Sequence, residues 1–188
     1  MKSSKHVESG KVEVFPDPRV EIAMKDPSLR VRGAAVVALA DHDEEPEAER
    51  LLREIAAGAE QPRELRVVAI QHLEDSESPE LFGFLQDLAL GDQDPSIAAV
   101  AVMTLGEFDD ERSFAALRKV FAEAGDEKLQ SVALEAIAER QDRAAVDFLS
   151  QVGGDESKPE LARVAVWPKA VLLNWIQVLP GGNRLSLD

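Results

Sequence analysis

The sequence predicts an all-α protein, a right-handed α-solenoid in which helical hairpins stack into a superhelix. Three observations predict it. An apolar segment recurs along the chain as Val31–Leu39, Leu65–Leu73, Ile97–Leu105 and Leu129–Ile137, and Leu161 opens a fifth copy. The leading residues Val31, Leu65, Ile97, Leu129 and Leu161 are spaced by 34, 32, 32 and 32 positions, the periodicity of a repeat array. The apolar positions fall three, four and five residues after the first in every copy, and eight after it in the first four, which is one stripe of a helix. The third observation is a column of one residue type. Four positions after each leading residue stands alanine, at Ala35, Ala69, Ala101, Ala133 and Ala165. A small side chain at the centre of the stripe lets neighbouring helices approach closely. No segment sustains the period of two that a half-buried strand shows, which excludes alternating strand–helix units.

The elements follow in order. Residues 1–15 form an N-terminal arm, with Lys11–Phe15 extended. Pro16–Asp26 reads as a single helix from an incomplete leading unit, because the end of a stack exposes an apolar face that needs cover. Each full unit then has the striped helix, a polar break and a second helix. The breaks contain "DHDEEPE", "EDSESPE", "EFDDER" and "ERQDR", rich in the Asp, Ser and Pro that start helices. Ala48, Phe82, Phe114 and Val146 lie seventeen residues after the leading positions, and Leu51, Leu85, Leu117 and Leu149 lie twenty after, as the core side of the second helix. Gly58, Gly91, Gly125 and Gly153 follow as stops, on the expectation that they take the left-handed backbone of a helix end. The two extra residues of the first unit fall in the connector "AAGAEQPRE". The repeat domain therefore runs over residues 16–166, and residues 167–188 form a C-terminal cap and tail.

That tail departs from the pattern at Trp167-Pro168. Lys169–Leu179 is expected to be a capping helix, with a β-hairpin across Pro180–Asn183 as the alternative. Between Ala170 and Leu179 only Asn174 and Gln177 are polar. A helix so apolar is covered by its own chain or by a partner, so Trp167, Leu172, Trp175 and Ile176 are the candidate contacts for a cap or for a homodimer.

Composition narrows the function classes. The 188 residues are 45% hydrophobic and 30% charged, the balance of a globular chain. No run approaches the roughly 18 apolar residues of a membrane helix, and the first residues lack a signal peptide's apolar core, so a cytoplasmic protein that avoids membranes is expected. Zero cysteines exclude disulfides, thiolate metal sites and cysteine nucleophiles. Asp and Glu number 36 against 21 Lys and Arg, a net charge of −15 that repels a nucleic-acid backbone. Thirteen arginines against eight lysines, with frequent alanine, point to a GC-rich bacterial genome.

The columns resemble the HEAT repeat, in particular its short form in phycobilisome-lyase-like proteins. In "DPSLRVRGAAVVAL" the resemblance rests on Asp26-Pro27 ahead of the helix and on Arg32 just after the leading residue. Arg66 keeps that arginine, whereas Ala98, Gln130 and Ala162 depart from it. The resemblance spans about residues 18 to 166. It implies an armadillo-like architecture and a surface that binds other proteins, and it leaves a phycobilin-lyase-like enzyme with a concave-face pocket as the alternative.

Reaction centres were sought among the residues themselves. His6, His42 and His72 share no metal-ligand spacing, and no adjacent His-Glu pair occurs. There is no phosphate-binding loop, nucleophile elbow or dinucleotide fingerprint. The acidic breaks, such as Asp41 to Glu49 and Asp109 to Glu111, are expected to serve helix N-termini and solubility, without the spacing of a calcium loop. No catalytic residue, metal or cofactor is therefore expected, and a protein or peptide is the partner.

Its binding surface is expected on the second helices, opposite their core side. Each residue turns the helix by about 100°, which places positions 15, 18, 19 and 22 after the leading residue there. They supply Arg50, Arg53, Phe84, Asp87, Arg112, Ala116, Lys119, Phe148 and Gln151. In a HEAT-like stack this face lines the concave surface. Phe84 and Phe148 are the odd members, either an apolar floor for an acidic, aromatic peptide or additional core between units.

Overall fold

The structure is a computed structural model that describes residues 18–40, 46–74, 76, 78–140, 142–155, 159, 161, 162, 164 and 165. Among the described residues there are nine helices and no strand. They are α1 (Pro18–Lys25), α2 (Leu29–Ala40), α3 (Pro46–Ala57), α4 (Arg63–Gln71), α5 (Leu81–Gly91), α6 (Pro95–Gly106), α7 (Glu111–Glu123), α8 (Glu127–Glu139) and α9 (Arg143–Gly153). Residues 159, 161, 162, 164 and 165 are helical too, and Leu161 and Ala165 are buried. The arm at 1–15, the break at Asp41–Glu45 and the expected C-terminal cap lie outside the described residues.

Local chemistry fixes where the helices start. The side chain of Asp94 accepts from the Ser96 N–H at 2.9 Å, with Pro95 as the first helical residue, and opens α6. Asp110 accepts from Arg112 N–H at 2.6 Å, Asp126 from Lys128 N–H at 3.1 Å and Asp142 from Ala145 N–H at 2.7 Å, opening α7, α8 and α9. The glycine stops work differently from the expectation. None of Gly58, Gly91 and Gly125 has a left-handed backbone. The α5 and α7 helices end instead where Asp92 and Ala124 turn to extended backbone, with ψ of 138° and 126°, which leads into the next capping aspartate. A three-residue turn needs no positive φ when the following helix starts so soon.

The elements pack as an all-α solenoid. The striped helices α2, α4, α6 and α8 form one continuous layer, each touching the next. On the other side α3, α5, α7 and α9 form the second layer, in which α5 touches α7. Each second helix packs most extensively on the striped helix that follows it, α3 on α4, α5 on α6 and α7 on α8. The tight hairpin is thus offset by one helix from the unit read in the sequence. Residues 92–94 and 124–126 join two of those pairs, and residues 72–80 separate α4 from α5. Three residues, 140–142, also join α8 to α9, so turn length does not set the offset by itself.

The alanine column and the columns five and eight after the leading residue are buried as their spacing requires. The column three after it is not, Val68, Val100, Val132 and Val164 being half-buried and Ala34 exposed. Ala69, Ala101, Ala133 and Ala165 have no exposed surface and Ala35 is buried. Val36, Ile70, Val102 and Leu134 are sealed on one side of them, and Leu39, Leu73, Leu105 and Ile137 on the other. At the C-terminal end of α6 the approach is closer still, for a Cβ on Gly106 would lie 3.0 Å from the Ala136 Cβ of α8. The leading column has two exceptions. Leu129 is half-buried, and Val31 is 43% exposed, together with Ile22 and Leu29 at the same end of the stack, where among the described residues the short α1 precedes α2.

Arginines tie consecutive units together. Arg32 Nε donates to Ala23 O and Arg66 Nε to Ala56 O, each at 2.8 Å, sealing the last turn of the preceding helix. The Arg66 guanidinium also forms a buried pair with Asp92 in the next turn, and Arg63 Nε donates to Asp94 at 2.5 Å. At the opposite end of the helices Arg140 donates to Phe108 O at 2.8 Å.

Enlarging the alanine column tests this packing. Ala101→Leu is expected to overpack the α4–α6–α8 layer and lower the unfolding free energy by about 1–3 kcal/mol in a denaturant titration. Met103→Gln, at a position 59% exposed on the same helix, is expected to stay within about 0.5 kcal/mol of wild type. Equal stability for both variants would contradict the close-packed layer.

Candidate functional site

The second helices carry the expected binding face, and the structure sorts its residues. Arg50, Asp87, Arg112, Lys119 and Gln151 are exposed. Arg53, Phe84 and Phe148 are half-buried, and both phenylalanines pack against the core. Ala116 is buried at 5% exposure, so it belongs to the core and not to the open face. Trp167, Leu172, Trp175 and Ile176 lie outside the described residues.

Helix geometry gives the reason for the Ala116 correction. The buried positions of α5 and α9 fall 16, 17, 20 and 23 residues after the leading residue, as in Leu81, Phe82, Leu85 and Leu88 or Ala145, Val146, Leu149 and Val152. That stripe is centred near position 20 and is wide. Position 19 lies about 100° from position 20, at the flank of the stripe and not opposite it. In the second to fourth units Phe84, Ala116 and Phe148 therefore sit at the seam between neighbouring second helices, and positions 18 and 22 keep the open side. In the first unit, by contrast, Arg50, at position 19, is exposed and Arg53, at position 22, is half-buried.

At that seam cations stack on rings. The Arg53 guanidinium of α3 lies over the Phe84 ring of α5 at 5.5 Å, and donates to Ser78 Oγ at 2.9 Å while pairing with Glu49. Arg112 of α7 lies over the Phe82 ring of α5 at 4.7 Å. Arg118 of α7 covers two rings, Phe148 of α9 at 5.3 Å and Phe114 of its own helix at 5.6 Å. The rings also meet edge to face, Phe114 with Phe148 at 6.2 Å, Phe121 with Phe148 at 5.6 Å, and Phe82 with Phe108 at 5.2 Å. Such pairs favour a centroid separation of about 4.5–7 Å because ring edges are positive and faces negative. Arginine over a ring face exploits the same charge distribution.

The electrostatics differ from a simple basic strip. Arg50 pairs with Glu54, Arg53 with Glu49, and Arg112 with Asp110 through two side-chain hydrogen bonds of 3.1 and 2.9 Å. The hydrogen bond from Arg112 holds the Asp110 carboxyl below its ordinary value, helped by the Arg112 backbone N–H, and the same bond raises the Arg112 pKa. Most cations expected to face a partner are thus matched by the chain's own acids. Arg118 and Lys119 are exposed and have no carboxylate partner among the described residues. Arg118 was missed in the sequence. Its signal was Phe114 four residues earlier, the spacing that brings helical side chains together.

Among the described residues no three His, Asp or Glu side chains are grouped to hold a metal ion, and no helix is long and apolar enough to cross a membrane. In comparison with known proteins, residues 51–138 match the family model described as HEAT repeats, a stretch running from α3 into α8. No curated protein matches the chain.

Two outcomes follow from this seam. Phe148→Ala removes two edge-to-face pairs and an arginine stack, and is expected to lower stability by about 3 kcal/mol; Phe84→Ala, with one stack, is expected to cost less. Thermal melts of both variants check the order. Asp94 is held low chiefly by the hydrogen bond from Arg63, as Asp110 is by Arg112, and Glu80 chiefly by the hydrogen bond from Ser78. A carboxyl depressed in the folded state stabilises fully above its unfolded pKa, and that contribution disappears as pH falls through the folded value. Stability should therefore decline from about pH 4 downward, and more gently in Asp110→Asn, as acid titration followed by circular dichroism would record.

Proposed function

This chain is a HEAT-repeat protein, and we propose that it is a scaffold that binds another protein through the second-helix face at α7 and α9. HEAT repeats in general mediate protein interactions, so the class of activity rests on the fold. The location rests on one observation. Arg118 lies over Phe114 and Phe148 with no carboxylate of the described chain to neutralise it, beside Lys119. In a chain of net charge −15, two adjacent unneutralised cations next to an aromatic cluster suit an acidic partner. A half-buried ring bordered by exposed Lys119 and Gln151 gives an apolar centre with a polar rim, the arrangement in which one aromatic anchor carries most of the binding energy. The partner is thus an acidic segment with an aromatic residue, as a helix or an extended peptide.

Neither cation has an ion pair to lose among the described residues, but Arg118 gives up its stacks on Phe114 and Phe148. Lys119→Glu alone is therefore expected to melt within a few degrees of wild type, and Arg118→Glu with Lys119→Glu to melt lower while remaining folded at the temperature of the binding assay. A fluorescein-labelled peptide of Glu, Asp and Trp is expected to bind wild type with an affinity that falls with salt, and to lose at least tenfold on the double variant. Equal binding by the two proteins, or binding independent of salt, would refute this location.

A further inference from the structure

The residue just after each leading position has a repeated task. Arg32 donates to Ala23 O, Arg66 to Ala56 O, and Gln130 Nε2 to Ala124 O, each at 2.8 Å. At three junctions, then, a long side chain fills the space beside the end of a neighbouring helix and meets its carbonyls. Carbonyls there lack helical partners and carry the negative end of the helix dipole, which suits a cationic donor. At the third of these positions stands Ala98, which is buried and too short to reach anything, and at the fifth stands Ala162. No side-chain donor among the described residues reaches Ala89 O or Leu90 O at the end of α5.

The space an arginine would occupy is open. A cavity of about 480 Å³ lies between the α5–α6 turn and the α7–α8 turn, lined by Leu90, Ala98, Ala124, Leu129 and Val132 among others. Asp92, Glu123, Asp126 and Lys128 also border it. Asp92 is paired with Arg66, whereas Glu123 and Asp126 have no ion pair among the described residues, which leaves two acids against one cation at the rim. Its size is within the range of about 300–1,000 Å³ typical of ligand clefts. Apolar walls with carboxylates and helix-end carbonyls at the rim match an arginine side chain, apolar along its stem and a planar donor at its tip.

We propose that this cavity receives an arginine side chain of a protein or peptide partner. Its guanidinium takes the place that Arg66 takes one unit earlier, against the last carbonyls of α5 and the Asp126 and Glu123 carboxylates. Its stem lies on Leu90, Leu129 and Val132. The site is separate from the α7–α9 face and does not depend on it.

The test uses the full chain and N-acetyl-arginine-N-methylamide as probe, followed by amide NMR. Saturable shifts at Leu90, Ala98, Ala99 and Asp126 are expected, with the lysine analogue at least threefold weaker. Ala98→Arg is expected to raise the melting temperature and abolish the shifts, its own guanidinium filling the space as Arg66 does. Should that variant fold poorly, Glu123→Gln with Asp126→Asn keeps a capping side chain on α8 and is expected to weaken the probe at least fivefold. Arg118→Glu is expected to leave probe binding unchanged, which keeps this site distinguishable from the α7–α9 face. The proposal is overturned if the probe gives no saturable shift, or if the lysine analogue binds equally well. It is also overturned if folded Ala98→Arg still binds, if the double carboxylate variant binds as wild type, or if Arg184→Ala alone shifts the same amides, which would make the chain's own tail the occupant.

Discussion

The rest of the structure depends on how closely the striped helices approach one another. Alanine at Ala69, Ala101, Ala133 and Ala165, with no exposed surface at any of them, lets α4, α6 and α8 pack closely, and a methyl group on Gly106 would come within 3.0 Å of the Ala136 Cβ. Once this layer is fixed, the second helices have little freedom. They are tethered by three-residue turns at 92–94 and 124–126, and their larger side chains must fill whatever gap remains. The seam of Phe82, Phe84, Phe114 and Phe148 is that filling. Small residues in one layer and aromatic ones in the other are two sides of a single geometric constraint.

Arginine is the second material of the stack, and its roles explain how so acidic a chain is held together. The guanidinium is planar and multidentate, so one residue can meet a helix-end carbonyl and a carboxylate at once, as Arg66 does with Ala56 O and Asp92. That pair is almost sealed from solvent, with side-chain exposures of 5% and 10%. Burying two charges is costly, and the further bonds, from Arg66 to Ala56 O and from the Asp94 N–H to Asp92, help offset it. At the seam the same residue type works through ring faces, where Arg53 of α3 reaches Phe84 of α5 and Arg118 of α7 reaches Phe148 of α9. Both uses join one unit to the next, in a fold whose stability comes from neighbour contacts.

Most of the architecture was legible because periodicity reports burial directly. The five-fold alanine column and the apolar columns five and eight after the leading residue are core, as their spacing required, while the column three after it lies at the edge of the core. Capping aspartates were legible in kind at Asp110, inside an acidic break, while Asp94 and Asp126 do the same work in the short turns. Glycine misled, because Gly91 and Gly125 sit where helices end without adopting the backbone that only glycine favours. The candidate face was harder. A helical wheel locates the centre of a buried stripe but not its width, and the width decides whether position 19 is core or surface. Ala116 fell on the core side, and Phe84 and Phe148 at the boundary. Nor does a wheel show who neutralises whom: Arg53 finds Ser78 twenty-five residues away, in the polar break of the following unit.

Irregularity in a repeat array is therefore as informative as regularity. Where Arg32 and Arg66 recur, the junction is closed by the chain itself, and any change there falls on stability. Gln130 keeps the bond to a helix-end carbonyl but gives up the charge, so the fourth junction has lost a cation without losing its closure. Ala98 gives up both. Its methyl group leaves the α5 end facing a cavity bordered by Glu123 and Asp126. An empty space of this kind forfeits dispersion contacts along its lining. The alanines of the units on either side, Ala69 and Ala133, remain fully buried. In a stack whose units contact only their neighbours, a local vacancy stays local, which is how a surface built from copies acquires positions unlike the rest.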